Sequence, residues 1–150
     1  VFNKAGEICK AAGVPFGYHN HWFEFAKVNP GEKEAQFGPN KKGQVIYDLF
    51  VNETDPDKVF FEMDVYWAIV GGIDPCEYMK KYADRIKVLH IKDKKVLGQS
   101  GMMNFSNIFA QHYANGHQDY FVELERVPDM TQFEGVAACA DYLKKSKFVK

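Results

Sequence analysis

The chain has few cysteines, no long apolar run and no excess of charge of either sign, and each shortage argues against a class of protein. Its three cysteines, Cys9, Cys76 and Cys139, are widely spaced and odd in number. No Cys-x-x-Cys pair occurs, so a disulfide framework or a thiolate metal cluster is not expected, and the three read as small core residues. No apolar stretch approaches the roughly 20 residues of a membrane span, so no membrane partner is expected. The formal net charge is −1, from 19 basic and 20 acidic residues with no long run of one sign. Bulk charge therefore gives no reason to expect a nucleic-acid partner. A glycine-rich phosphate loop is also missing, no signal peptide is visible, and the compartment is left open.

What the chain does have is apolar and aromatic material. Hydrophobic residues make up 46% and aromatics 15% of 150 residues, ample for the core of one domain. Residues 1–13 read as a helix, with Phe2, Ala5, Ile8, Cys9 and Ala12 at helical spacing and Gly13 as a natural end. Strands are expected over 14–21, 59–65, 86–93 and 119–127. Helices are expected over 76–85, with Asp74-Pro75 as its cap, over 105–116, and over 129–146. The stretch 27–42, rich in Lys, Gly, Pro and Asn, reads as a loop, and 66–75 as a turn marked by two glycines and a proline. Residues 43–53 fit either a short helix or an extended segment.

Each expected strand ends in a pair of polar residues two apart: His19/His21, Glu62/Asp64, His90/Lys92 and Glu123/Glu125. Side chains at i and i+2 of a strand share a face. Alternating strands and helices imply parallel strands joined by right-handed crossovers. In such sheets the reactive groups gather at the C-terminal strand ends, where all four pairs lie. Two strands carrying imidazoles and two carrying carboxylates resemble a metal site with spare groups for proton transfer.

Four βα units do not close a (β/α)8 barrel, which needs eight strands and about 250 residues. The fold expected is α/β, a single domain over 1–150 of four parallel βα units, half of a TIM barrel. Either another copy completes it as a homo-oligomer or it is the C-terminal part of a longer protein. The second is favoured because the chain opens inside a helix. A half-barrel exposes two sheet edges and a large apolar face, which invites association.

The segments GYHNHWFEF, EMDVYWAIVGGIDP, RIKVLHIKD and YFVELE, in that order, resemble the xylose isomerase-like TIM-barrel superfamily, and the resemblance implies the C-terminal half of that (β/α)8 barrel, strands five to eight. That group contains sugar phosphate isomerases and epimerases, inosose dehydratases and, distantly, endonuclease IV. The resemblance implies one divalent-metal ligand from each of the last four strands. Asp64, His90 and Glu123 match the aspartate, histidine and final glutamate positions. At the first position many members carry glutamate, whereas this chain has His19, with His21 as the near alternative. Because that glutamate is a catalytic acid/base in the epimerases, its replacement leans the reading toward the dehydratase and lyase side.

An N/O ligand set without thiolate suits Mn²⁺, Mg²⁺, Co²⁺ or Zn²⁺. Taken singly, His90 is as readily a core histidine, and Asp64 a helix cap. Glu123 is the first candidate base, Glu24 an alternative acid or base unless it is a surface loop residue, and Lys92 an oxyanion stabiliser unless it pairs with Asp93. His21, Trp67 and Glu125 are candidate sugar contacts, and a structural role is expected for Glu62. His112 and His117 are expected to be solvated. The function expected is a divalent-metal-dependent isomerase or epimerase acting through an enediolate on a keto-sugar, polyol or sugar phosphate. A dehydratase or lyase is the alternative within the class, and a non-catalytic carbohydrate-binding half-barrel the alternative outside it. A phosphoesterase resembling endonuclease IV fits poorly, since the chain lacks a basic face.

Overall fold

In the computed structural model, residues 1–29, 31, 32, 34–38 and 41–150 are described. Helix α1 (Phe2–Ala11) leads to β1 (Gly17–His19), a 3-10 turn (Phe23–Phe25) and two short strands, β2 (Lys27–Val28) and β3 (Gln44–Val45). Then follow α2 (Ile46–Asn52), β4 (Phe60–Asp64), α3 (Val65–Val70), α4 (Pro75–Lys81), β5 (Ile86–Ile91), α5 (Phe105–Ala114), β6 (Tyr120–Val122) and α6 (Gln132–Lys145). The main sheet has the order β1-β4-β5-β6, and every pairing in it is parallel. This is the expected half-barrel of four βα units.

The sheet separates its two faces by chemistry. Phe61, Met63, Leu89 and Ile91 point to the helix layer and are fully buried with Tyr47, Met79, Ile108 and Phe109. The alternate residues, Glu62, Asp64 and His90, face the other side. The register sets Asp64 beside His90 and His19 beside Glu62, so adjacent strands deliver their polar groups at one level.

Helix ends follow local chemistry. After α1 the Gly13 N–H donates to the Lys10 carbonyl and the Val14 N–H to the Cys9 carbonyl. This Schellman closure needs the left-handed backbone that Gly13 adopts, at φ 73°. The α6 terminus has a reciprocal capping box between Thr131 and Glu134. Arg85 donates to the Val51 and Val59 carbonyls and to the Thr54 hydroxyl, tying the end of α2 to the start of β4.

Several expected boundaries are corrected. Residues 65–70, read as part of a turn, are a helix, because the Asp64 carboxylate caps it through the Trp67 N–H. The first strand is three residues long rather than eight. Pro15 has no N–H to donate, and the His21 N–H is captured by Glu24 at 2.9 Å. The last strand stops at Val122, with one more ladder bond from the Glu123 N–H to the Ile91 carbonyl. As an edge strand it has a neighbour on one side only. The expected loop over 27–42 carries β2, which pairs antiparallel with β3; its positions 30, 33, 39 and 40 lie outside the described residues. The ambiguous stretch 43–53 is both β3 and α2.

Candidate metal and sugar site

Glu62 stands behind two imidazoles. Its Oε1 accepts from His90 Nδ1 at 2.7 Å and lies 3.5 Å from His19 Nδ1. Because a carboxylate only accepts, His90 Nδ1 carries a proton and Nε2 is turned to the other side. There, His19 Nε2 and His90 Nε2 are each 3.8 Å from Asp64 Oδ2. The donor atoms of His19, Asp64 and His90 all fall within 4.8 Å of one another. Asp64 Oδ2 and His90 Nε2 are buried and make no hydrogen bond among the described residues. Buried polar atoms without partners are costly, and at 3.8 Å these two do not bond each other. A shared cation satisfies both, so the residues fit a divalent metal.

Electrostatics point the same way. Burial pushes the Asp64 carboxyl up to about 6, against the Trp67 N–H and the nearby His90 and Lys92. Burial, and next the neighbouring His90, hold the His19 imidazole below its ordinary value. Burial is the largest cause of both shifts, and a nearby positive charge would oppose the one on Asp64.

Beyond His90 lies a second cluster. Lys92, only 2% exposed, pairs with Glu123 at 2.9 Å and Glu125 at 2.8 Å. Burial acts to lower the Lys92 ammonium, but the two carboxylates outweigh it and hold the group above its ordinary value. Burial acts to raise Glu123, and Lys92 and His90 together hold it below the usual carboxylate range. Glu123 Oε2 is also 3.3 Å from His90 Nε2, so the expected fourth ligand stands beside the three-residue cluster while bound to Lys92. Trp67 lies under Lys92, whose Nζ is 5.7 Å from the ring centroid. The buried Trp67 Nε1–H has no acceptor among the described residues. His21 packs near both His19 and Trp67, with centroids 5.2 and 5.7 Å away.

Thus His19, His21, Asp64, Trp67, His90, Lys92, Glu123 and Glu125 are brought together, and Lys92 takes Glu123 and Glu125 as partners rather than Asp93. Glu24 is not brought to the cluster. It is buried, and its carboxylate accepts from the Tyr18 hydroxyl at 2.5 Å and the His21 N–H, so it anchors the turn after β1. His112, expected to be solvated, is fully buried and bonded to the Asp119 carbonyl. His117 is half-buried on the Ala83 carbonyl.

Asn20 is a residue that sequence reasoning missed. Fully buried, it accepts from the Asp64 N–H at 3.1 Å and donates to the Asp64 carbonyl at 3.3 Å. Its side chain extends the β1–β4 ladder where β1 has ended and clamps the backbone of Asp64. Its place between two histidines was the only signal that could have found it. A surface cavity of about 730 Å³ opens elsewhere, between α3, α4 and α5, and holds none of the candidate residues.

A parallel half-barrel with imidazole and carboxylate donors at its C-terminal strand ends is the arrangement that the resemblance to the xylose isomerase-like barrels implied, and the chain is similar to known proteins of sugar metabolism. A crystal structure described as a sugar phosphate isomerase/epimerase from Parabacteroides distasonis is 61% identical, with TM-score 0.90, over 99% of this chain and 52% of that one. An inosose dehydratase from Geobacillus kaustophilus is 32% identical over 91 residues, 61% of this chain and 25% of that protein. An L-ribulose 3-epimerase structure, 21% identical with TM-score 0.58, shares the fold. No protein-family model matches. The chain is thus similar along almost its whole length to half of a protein described as a sugar phosphate isomerase/epimerase, and spans about half the length of the solved structures it matches. Among the described residues no helix is long and apolar enough to cross a membrane.

Proposed function

We propose that this chain carries the metal-binding half of the active site of a sugar isomerase, epimerase or dehydratase. One observation carries the reading: the unpartnered, buried Asp64 Oδ2 and His90 Nε2 face each other beside His19. His19, Asp64 and His90 would hold a divalent ion, with Glu123 as the fourth ligand or its neighbour. When bound, such an ion supplies Lewis-acid polarisation of a substrate carbonyl.

The chain's own groups supply the rest. Glu123 would take the proton from the carbon next to the carbonyl, and Lys92 would donate to the oxygen on which negative charge develops. Glu125 accepts from a sugar hydroxyl. The Trp67 ring covers the apolar face of the sugar. Returning the proton to the other face or the adjacent carbon gives epimerisation or isomerisation. A second reading, dehydration, is favoured by His19 standing at the first ligand position. There the C–H bond breaks, its electron pair forms a C=C bond, and the β-hydroxyl leaves as water after protonation.

The test is incubation of the Mn²⁺- or Co²⁺-loaded chain with keto-sugars and cyclic polyhydroxy ketones in D₂O, followed by proton NMR. Solvent deuterium at the α-carbon with no loss of water assigns isomerisation or epimerisation, and loss of water assigns dehydration. Activity should vanish with EDTA. Turnover that survives EDTA, or that leaves the α-hydrogen in place, refutes the metal-enolisation reading.

A further inference from the structure

Resting on that reading of the strand ends, the extent of the substrate can be inferred from the aromatic surface beside them. The turn after β1 carries Trp22 and Phe23, and the connection between β2 and β3 carries Phe37. The three are 41%, 48% and 46% exposed. Their rings form one row that begins at the candidate site. His21, whose ring lies 5.2 Å from His19 and 5.7 Å from Trp67, stacks against Phe23 at 5.8 Å with 5° between the planes. Phe23 meets Trp22 edge to face at 6.1 Å, and Trp22 packs on Phe37 at 5.0 Å. The other exposed phenylalanines, Phe121 and Phe133, lie elsewhere, on the edge strand β6 and at the start of α6.

The rings are held outward by a rigid turn. The Phe25 N–H donates to the Trp22 carbonyl and the Ala26 N–H to the Phe23 carbonyl. The buried Glu24 carboxylate takes the His21 N–H, and Phe25 is buried against Tyr47 and Tyr78. A Cβ at Gly71 would strike the Phe25 ring and crowd the Trp22 carbonyl, so the glycine lets the end of α3 close against the turn. Two adjacent aromatics that stay outside the core of so firmly anchored a turn mark a binding surface. The negative faces of the rings suit the C–H groups of a sugar ring.

Size selects the occupant. At roughly 150–250 Å² for a whole aromatic side chain, three half-exposed rings offer on the order of 300 Å². A stable protein partner needs about 800 Å² on each side, whereas one ring of a small molecule needs far less. A sugar whose carbonyl sits at His19, Asp64 and His90 has its own ring beside His21 and Trp67. Among the described residues Trp22 and Phe37 pair with neither of those rings, only with Phe23 and each other, so they stand outward of the reacting sugar. We infer that Trp22, Phe23 and Phe37 form a second subsite for a further ring joined to the reacting sugar, and that the substrate is a keto-disaccharide or larger glycoside rather than a monosaccharide.

The experiment is calorimetric binding to the Mn²⁺-loaded chain of fructose, and of turanose, maltulose and isomaltulose, which each add a glucose ring to fructose at a different position. Two ring contacts at the usual strength of aromatic stacking give roughly tenfold, so one of the disaccharides should bind about tenfold more tightly than fructose. That ratio should collapse toward unity in Trp22→Ala/Phe37→Ala and fall in Phe37→Ala alone. Because the readout is a ratio within one protein, a general loss of affinity in a variant does not imitate the result. No preference for any disaccharide, no binding of any of these sugars, or a preference that survives in the double variant overturns the inference. A chain that sediments as a dimer, with the double variant monomeric, also overturns it, since the rings would then be covered by a second copy. Disaccharide preference without solvent deuterium exchange leaves the second subsite standing and refutes the enolisation chemistry, and exchange with fructose and the disaccharides bound alike does the reverse.

Discussion

Replacing Glu62 by glutamine keeps the shape of the side chain and removes the charge that orients two histidines. The 2.7 Å bond from His90 Nδ1 to Glu62 Oε1 fixes the tautomer and aims Nε2 at Asp64. Glutamine can still accept through its amide oxygen, but as a neutral group, and its amide nitrogen competes for the same position. Loss of such an outer partner of a metal-ligating histidine typically costs 10–100-fold in metal affinity, about 1.4–2.8 kcal/mol. Glu62 also approaches His19 Nδ1 at 3.5 Å, so both imidazoles are affected and the upper part of that range is expected. Titration with Co²⁺ or Mn²⁺ by calorimetry gives the number directly. Circular dichroism should be unchanged, because the Glu62 side chain stands at the open face and not in the core. An affinity change below threefold for Glu62→Gln, alongside abolished binding in His90→Ala, would show that the bond does not orient the ligand.

Asn20→Ala leaves the buried N–H and carbonyl of Asp64 without partners. Each such loss costs about 1–3 kcal/mol, so a lower urea midpoint and weaker metal binding are expected together, and a change in stability alone would deny Asn20 a positioning role. Gly6→Ala would stabilise an isolated helix by about 1 kcal/mol, but in this fold an added Cβ runs into the Lys58 carbonyl. The sign should reverse, with a loss of about 1–3 kcal/mol read as a lower melting temperature; a raised one would mean that α1 does not dock as described. Burial, aided by the nearby His117, holds the His112 imidazole below its ordinary value of 6.5 despite its bond to the Asp119 carbonyl. Below pH 6.5 the unfolded chain therefore binds a proton that the folded chain refuses, and stability falls as pH drops toward the folded value. The fall in urea midpoint between pH 7.5 and 5.5 should be smaller in His112→Gln than in the parent, and an equal fall would refute the assignment.

The polar strand ends are partly readable in the sequence because a strand repeats every two residues, so the Glu62-x-Asp64 pair in an apolar run puts two polar groups on one face, whereas His21, Lys92, Glu123 and Glu125 lie just past their strands. Parallel order then follows from strands alternating with helices. Side-chain capture of backbone groups is much harder to read. Asp64 turns 65–70 into a helix through one hydrogen bond, Glu24 ends β1 by taking the His21 N–H, and Asn20 replaces a stretch of ladder with an amide. Each depends on a contact between side chain and backbone that periodicity does not encode. Glu24 shows the consequence most plainly. Its position after a strand of histidines fits an acid/base residue, yet the Tyr18 hydroxyl on the helix-facing side claims its carboxylate. His112 is the converse case: a polar residue on a helix that looks solvated until the Asp119 carbonyl supplies a buried partner.

Asp64 links these levels. One carboxylate oxygen accepts the Trp67 N–H at 2.8 Å and starts α3, while the other is left buried and unpartnered toward the two histidines. Its backbone is held from the opposite side by Asn20. The group is therefore fixed by three hydrogen bonds that make no use of Oδ2, and the helix it caps carries Trp67 to the edge of the Lys92 cluster. Asp64→Asn keeps a side-chain oxygen to cap the helix and puts an amide N–H₂ or an uncharged oxygen toward His19 and His90. If Asp64 served as a cap alone, this substitution would be nearly silent, since asparagine caps helices about as well as aspartate. If Oδ2 is the anionic member of a metal site, the fold should persist with an unchanged helical spectrum while Mn²⁺ and Co²⁺ binding is lost. Retained metal binding in a folded Asp64→Asn chain would refute the assignment of this residue, and with it the reading of the strand ends as a metal centre.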